Sequence, residues 1–219
     1  LRIADVEELL AIDSQLELKS LALDKIEAVL THLKKRQPKY KSEEDFVQYL
    51  YYYAHQKLLK KYSEYPTLAE TLVDGRYDCL TATATYSILF SELAITHNVI
   101  ETNYHIYIIV YPDTENQILI ETTDPLNGLI EEEEEIISYR NQYVQSNIAE
   151  RNTLIDLDLN IERNLEQKEL IGLLYYNQSI KEINHGHWEK AKLIADQALE
   201  YYKKTRVHTL VNIIDSIEL

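Results

Sequence analysis

The chain has 219 residues, of which 45% are hydrophobic and 27% are charged, enough to bury the core of one domain or slightly more. Its formal net charge of −15 argues against nucleic acid or an anionic membrane as the main partner, because both require basic patches. No apolar run is long enough to span a bilayer. Four Gly and four Pro favour long helices with short connections.

The first part of the chain predicts helices. "ADVEELLAIDSQLELKSLALDKIEAVLTHLKKR" places apolar residues at helical spacing, and Pro38 follows its basic end. "SEEDFVQYLYYYAHQKLLKKY" predicts a second helix, with Ser42 as its N-cap. After the short helix "TLAETL" and the turn "VDG", a further helix is predicted over 79–94. It begins at Cys79, the single cysteine of the chain, and has Asp78 as its N-cap.

The next part of the sequence has the pattern of β-structure. The β-branched and aromatic runs "NVIETNYHIYIIVY" and "QILIETT", joined by "PDTEN", predict a β-hairpin. With a four-residue loop over 113–116, His105 faces Asp124, and opposed Cβ atoms lie roughly 4.5–5.5 Å apart. A three-residue loop or a bulge would place the two side chains on opposite faces.

Cys79 is either an inert small hydrophobe or a nucleophile. At a helix start, unpaired N–H groups and the helix dipole favour the thiolate. A sulfur nucleophile also needs a base and a group that orients the base. The predicted hairpin would supply both, as His105 and Asp124, although a histidine in such a strand is more often a structural hydrogen-bonder.

Three segments carry a resemblance to a known family. "GRYDCLTATATYSILFSELAI", "ETNYHIYIIV" and "ILIETTDPLNG" resemble the core of the transglutaminase-like superfamily of papain-like cysteine enzymes, over residues 42–130. The resemblance implies Cys79 as nucleophile, His105 as base and Asp124, followed by Pro125, as the third group. It implies an α+β fold in which helices pack on a small antiparallel sheet, and it implies no cofactor. The aromatic neighbour of the nucleophile in animal transglutaminases is absent here, and the sequence has no calcium-site pattern, so calcium-dependent crosslinking is not expected.

The C-terminal stretch "LIGLLYYNQSIKEINHGHWEKAKLIADQALEYY" predicts a helical hairpin. Gly186, Ala191 and Ala198 have the small-residue spacing of a tetratricopeptide-like repeat, and an ordinary helical hairpin is the alternative. A transglutaminase-like core followed by such helices resembles the bacterial SirB1-type arrangement. We expect a transglutaminase-like domain over 1–150 with N-terminal helices and a tetratricopeptide-like segment over 151–219 packed on it.

Metal binding is not expected. The acidic run 131–135 lacks the glycine turn and ligand spacing of a calcium loop, and predicts a solvated helix face. His185 and His187 have no third ligand at a suitable spacing.

The predicted chemistry is acyl transfer or hydrolysis at a peptide or amide bond through a Cys79 thioester. The Cys79 N–H would donate one hydrogen bond to the oxyanion, and His55 or Gln56 would donate the second. Asn103 and Tyr104, which flank His105, would line the cleft. The expected partner is a peptide or protein substrate. The sequence leaves protease, amidase and transglutaminase open.

The alternative function is a non-catalytic scaffold of the same fold, whose C-terminal helices present a groove to a protein partner. The compartment is also open. Because the chain begins at Leu1 and contains no Met, we expect a processed or trimmed N-terminus, which favours an extracytoplasmic location over a cytoplasmic one.

Overall fold

A computed structural model describes residues 6–8, 10, 16–103, 105–149 and 162–217, with only the backbone of 143–149. Tyr104 and the predicted domain boundary at residue 150 lie outside these ranges. The fold is α+β, with a small antiparallel sheet among packed helices, as the sequence predicts.

The helices before the sheet are the expected ones: α1 (Leu16–Arg36), α2 (Glu43–Leu58), α3 (Leu68–Asp74) and α4 (Cys79–Glu92). α1 ends immediately before a 3-10 turn that contains Pro38. α2 begins after Ser42, whose hydroxyl accepts the Asp45 N–H. Two short strands, β1 (Lys61–Tyr62) and β2 (Arg76–Tyr77), pair in parallel on either side of α3, so β2 leads directly into α4.

The main sheet has five strands in the order β6-β5-β4-β3-β7, with every neighbouring pair antiparallel. Its strands are β3 (His97–Thr102), β4 (Ile106–Val110), β5 (Ile118–Ile120), β6 (Leu129–Ile130) and β7 (Glu162–Leu165). One face, which includes Ile106, Ile108 and Val110, joins the main core with α4. The other face, which includes Tyr107 and Ile109, packs against Ile136 of helix α5 (Glu133–Ala149).

Three helices follow the sheet: α6 (Gln167–Asn184), α7 (Trp188–Tyr201) and α8 (Thr205–Ile217). The predicted turn at "NHG" is confirmed, because α6 and α7 are antiparallel neighbours around Gly186, whose φ of 76° is in the left-handed region. Ala191 and Ala198 are fully buried, which lets the helices approach closely. Leu170, Leu174 and Tyr202 belong to the same core as α4, so this segment packs on the rest of the fold.

Candidate functional site

Cys79 is the first residue of α4, as its N-terminal neighbours predict. The Asp78 carboxylate accepts the Thr81 N–H at 2.8 Å, and the Thr81 hydroxyl oxygen accepts the Asp78 N–H at 3.1 Å. This reciprocal pair forms a capping box that fixes the start of the helix. The Cys79 side chain is partly buried and packs against the main core.

The thiol does not have the thiolate character that a helix N-terminus alone predicts. Burial raises the pKa of Cys79 to about 12, and the negative charges of Asp78 and Glu121 add to the increase. The backbone N–H groups of Leu80 and of Cys79 itself act to lower this pKa, but burial and the two carboxylates outweigh them. This pKa makes Cys79 mainly a neutral thiol near pH 7 and does not support the thiolate that the helix start favours.

His105 contacts a carboxylate, and that carboxylate belongs to Glu121. The distance from His105 Nε2 to Glu121 Oε2 is 2.5 Å, and both side chains are largely buried. The predicted hairpin register is wrong by one residue, because Ile108 pairs with Ile120 and Val110 with Ile118. This register places Glu121, instead of Asp124, on the His105 face of the sheet.

Glu121 is held by further donors. The Thr123 N–H donates to Glu121 Oε1 at 2.8 Å, and the hydroxyls of Thr123 and of Tyr139 on α5 also donate to the carboxylate. Burial acts to raise the pKa of Glu121, but the hydrogen bond and charge of His105, with those hydroxyls, outweigh it and lower the pKa to about 2. Glu121 is therefore an anion at any pH near neutrality, suited to orient an imidazole.

Asp124 forms a turn and does not meet His105. Its carboxylate accepts the backbone N–H groups of Leu126 at 3.1 Å and Asn127 at 3.0 Å. These hydrogen bonds, led by the one from Asn127, lower the pKa of Asp124. The Gly128 carbonyl then accepts the Glu121 N–H at 2.6 Å, so the "DPLNG" turn folds back on the residue that contacts His105.

Tyr51 and His55, two residues of α2, contact the backbone at the end of β5. Tyr51 donates its hydroxyl proton to the carbonyls of Asp124 and Glu121. His55 Nε2 lies 2.9 Å from the Thr122 carbonyl oxygen, and burial lowers the pKa of His55. Because a carbonyl only accepts, this His55 nitrogen carries the proton and is already engaged. The expectation that His55 donates to an oxyanion is therefore replaced by a role in holding the strand.

The other predicted cleft residues fall in different places. Gln56 is exposed on α2, and within the described ranges its side chain has no contact with Cys79 or His105. Asn103 lies beside the site, where its carbonyl accepts a hydrogen bond from Arg206 of α8 at 3.1 Å. Thr102 holds the turn between β3 and β4, since its N–H donates to the His105 carbonyl at 2.8 Å. Tyr104 lies outside the described residues.

Residues at the end of β5 contact both Cys79 and His105. The Thr122 hydroxyl contacts the Cys79 carbonyl oxygen at 3.4 Å, while its neighbour Glu121 contacts His105. Tyr62 of β1 completes the surroundings of the thiol, because charge on Cys79 contributes to the raised pKa of Tyr62, after burial. The Tyr62 side chain is itself 57% exposed.

Sequence reasoning did not identify Glu121, Tyr139 or Asn177. The sequence did carry a signal for Glu121, because this glutamate directly follows the apolar run "ILI" of a buried strand. Tyr139 and Asn177 are brought in by α5 and α6 from distant parts of the chain. No local pattern predicts either contact.

The described residues contain no cluster of three or more His, Cys, Asp or Glu side chains arranged to hold a metal ion. None of the helices within the described ranges combines the length and apolarity needed to cross a membrane. Comparison of the chain with protein-family models, with curated proteins and with solved structures gave no match.

Proposed function

We propose that this protein is a transglutaminase-like cysteine enzyme that transfers or hydrolyses an acyl group from a peptide or protein amide. Cys79 is the nucleophile, His105 is the base, and Glu121 orients His105 in place of Asp124. The observation that carries the proposal is the 2.5 Å contact between His105 Nε2 and Glu121 Oε2, because Thr122, the residue after Glu121, contacts the Cys79 carbonyl through its hydroxyl. A histidine braced by a buried carboxylate is the arrangement that supports a sulfur nucleophile.

The reaction begins from a neutral thiol. As the Cys79 sulfur attacks the amide carbonyl, its proton passes to His105 Nδ1, the ring nitrogen opposite the one that contacts Glu121. The carbonyl oxygen gains negative charge next to the Cys79 N–H, which lies in the first turn of α4. The C–N bond then breaks, the leaving amine takes the proton from His105, and a Cys79 thioester remains.

The thioester is resolved by water or by an amine. His105 removes a proton from the incoming molecule, the new C–O or C–N bond forms, and the sulfur leaves and regains its proton. Glu121 stabilises the imidazolium in both steps, and its pKa of about 2 keeps it ionised throughout. This sequence requires no cofactor.

The direct test is to trap the thioester. Wild-type protein is incubated with a panel of glutamine-containing and other peptides, and intact mass is measured after a rapid acid quench. The proposal predicts a substrate-dependent acyl adduct on Cys79 that hydroxylamine removes. Cys79→Ala gives no adduct, and His105→Ala forms it about 100-fold or more slowly. Absence of an adduct on wild-type protein across the panel contradicts the proposal.

A non-catalytic scaffold is the second candidate, and one observation favours it. The partly buried Cys79 side chain packs against the main core, and burial raises its pKa to about 12, as in an inert thiol. A scaffold predicts that an acylating probe labels Cys79 equally slowly in wild-type and His105→Ala proteins. The enzyme predicts a difference between these two proteins, so the same labelling series separates the two functions.

A further inference from the structure

Helix α6, which follows the core in sequence, touches the segment that carries Cys79. Asn177 Nδ2 donates to Asp78 Oδ2 at 3.3 Å, across 99 positions of the chain. The other oxygen of the same carboxylate, Oδ1, accepts the Thr81 N–H and caps α4. Both oxygens of this buried carboxylate are therefore held, one by the helix that it caps and the other by α6.

The next residue of α6 makes a second connection to the same region. Gln178 is buried, and its side-chain amide donates to the carbonyls of Tyr65 at 3.1 Å and Pro66 at 3.0 Å. Tyr65 lies in the left-handed region, with φ of 52°, at the bend between β1 and α3. Consecutive side chains of α6 thus hold the Asp78 carboxylate, next to Cys79 in the chain, and the bend that follows Tyr62.

The charges that face the thiol explain why this contact matters chemically. Asp78 and Glu121 both place negative charge near Cys79, and Tyr62 lies close enough for its pKa to be raised by charge on the thiol, after burial. Asn177 supplies an N–H dipole that neutralises part of the Asp78 charge. It also holds the carboxylate that caps the first turn of α4.

We propose that Asn177 is a positioning residue for the nucleophile, acting on Cys79 through Asp78, so that the C-terminal helices are part of the catalytic unit. This inference rests on the proposed function for its catalytic meaning. The contact itself is tested by thiol chemistry, whether or not the acyl-transfer activity exists.

The experiment measures alkylation of Cys79 by iodoacetamide at pH 9 by intact mass, which reports one site because the chain has a single cysteine. Asn177→Asp keeps the side-chain shape but replaces the donor with a second negative charge next to Asp78. The thiolate fraction falls, and part of that loss is offset by higher nucleophilicity, so alkylation becomes about threefold slower. Asn177→Ala, which removes the donor without adding charge, shifts the rate in the same direction by less.

Asn184→Asp is the matched control, because it makes the same change on the same helix at its exposed last residue. It should alkylate at the wild-type rate. Circular dichroism and melting temperature identify any variant that is not folded. If Asn177→Asp does not fold, the alkylation rate of Asn177→Ala is compared with that of wild type instead. If both folded Asn177 variants alkylate like wild type, or if Asn184→Asp slows as much, the inference is wrong. A slowed Asn177→Asp in a protein that forms no acyl adduct would uphold the contact and reject the enzyme.

Discussion

Thr122 connects the two chemical halves of the site. Its hydroxyl oxygen lies 3.4 Å from the Cys79 carbonyl oxygen and 3.2 Å from the Thr83 hydroxyl. The neighbouring Glu121 points to the opposite face of the sheet and contacts His105. The start of α4 and the end of β5 are therefore attached side by side, with Cys79 contacting one face of the strand and His105 the other.

Thr122→Val removes this attachment with almost no change in volume. The side chain is fully buried, so the variant leaves the Cys79 carbonyl without its hydroxyl partner and should lose about 1 kcal/mol of unfolding free energy. The loss is measured by urea denaturation. Thr209→Val on α8 is the control, since Thr209 makes no side-chain hydrogen bond in the described part of the chain, and it should unfold like wild type. Equal stability of the two variants would show that the Thr122 contact contributes nothing.

The charge of Glu121 should also be visible in the reactivity of Cys79. Because negative charge on Glu121 helps to raise the pKa of Cys79, Glu121→Gln should lower that pKa and speed alkylation by iodoacetamide at pH 9 by about threefold. Glu115→Gln, in the exposed hairpin loop, is the control and should leave the rate unchanged. A wild-type alkylation rate that levels off below pH 8 would contradict the raised thiol pKa itself.

Tyr51 supports the strand end through its hydroxyl, and it has a neighbour for comparison. Tyr51→Phe leaves the buried carbonyl of Glu121 without this donor and weakens the turn at Asp124, at a cost of about 1–3 kcal/mol of unfolding free energy. Tyr52→Phe changes a side chain that is 45% exposed and should cost much less. Thermal or urea unfolding of both variants measures the difference. A Tyr51→Phe protein as stable as Tyr52→Phe would contradict this role.

Because His97 is largely buried, we expect the protein to lose stability in mild acid. Its Nε2 lies 2.9 Å from the Ser87 hydroxyl and its Nδ1 lies 3.0 Å from the Ile95 carbonyl, and burial lowers its pKa. In the unfolded chain His97 takes up a proton near pH 6.5, and in the folded chain it does so only at a lower pH. The unfolding free energy therefore has its full value above pH 6.5 and decreases as the pH falls through the pKa of His97 in the folded state.

His97→Gln removes this contribution. Its unfolding free energy should fall less steeply between pH 7 and 5 than that of wild type, by up to about 1.4 kcal/mol per pH unit. His185→Gln, at an exposed position after α6, should keep the wild-type slope. Parallel curves for wild type and His97→Gln would mean that His97 takes up its proton equally in both states.

Features that depend on neighbouring residues could be predicted from the sequence. Asp78 and Cys79 could be placed at a helix start because an N-cap acts within one turn. The turn around Gly186 and the buried Ala191 and Ala198 followed from the spacing of small residues in the same way. The hairpin was also predictable, since its two β-branched runs flank a polar loop.

Features that depend on register or on long-range packing could not be predicted. The hairpin loop runs from Tyr111 to Gln117, because Val110 pairs with Ile118, and this longer loop shifts the pairing by one position from that of the expected four-residue loop. One step of register exchanges Asp124 for Glu121 as the partner of His105. Burial and two carboxylates then reverse the expected ionisation of Cys79, and the sequence gives no measure of either effect.

The central claim is that Glu121, and not Asp124, orients His105 for chemistry at Cys79. The most direct measurement compares the kcat of Glu121→Gln and Asp124→Asn for acyl transfer from the same peptide. Glu121→Gln should lose about 100-fold or more, because a neutral amide cannot stabilise the imidazolium. Asp124→Asn should retain most of the wild-type turnover, because an asparagine oxygen also accepts the N–H groups of Leu126 and Asn127. A large loss in Asp124→Asn together with near-wild-type turnover in Glu121→Gln would contradict the account.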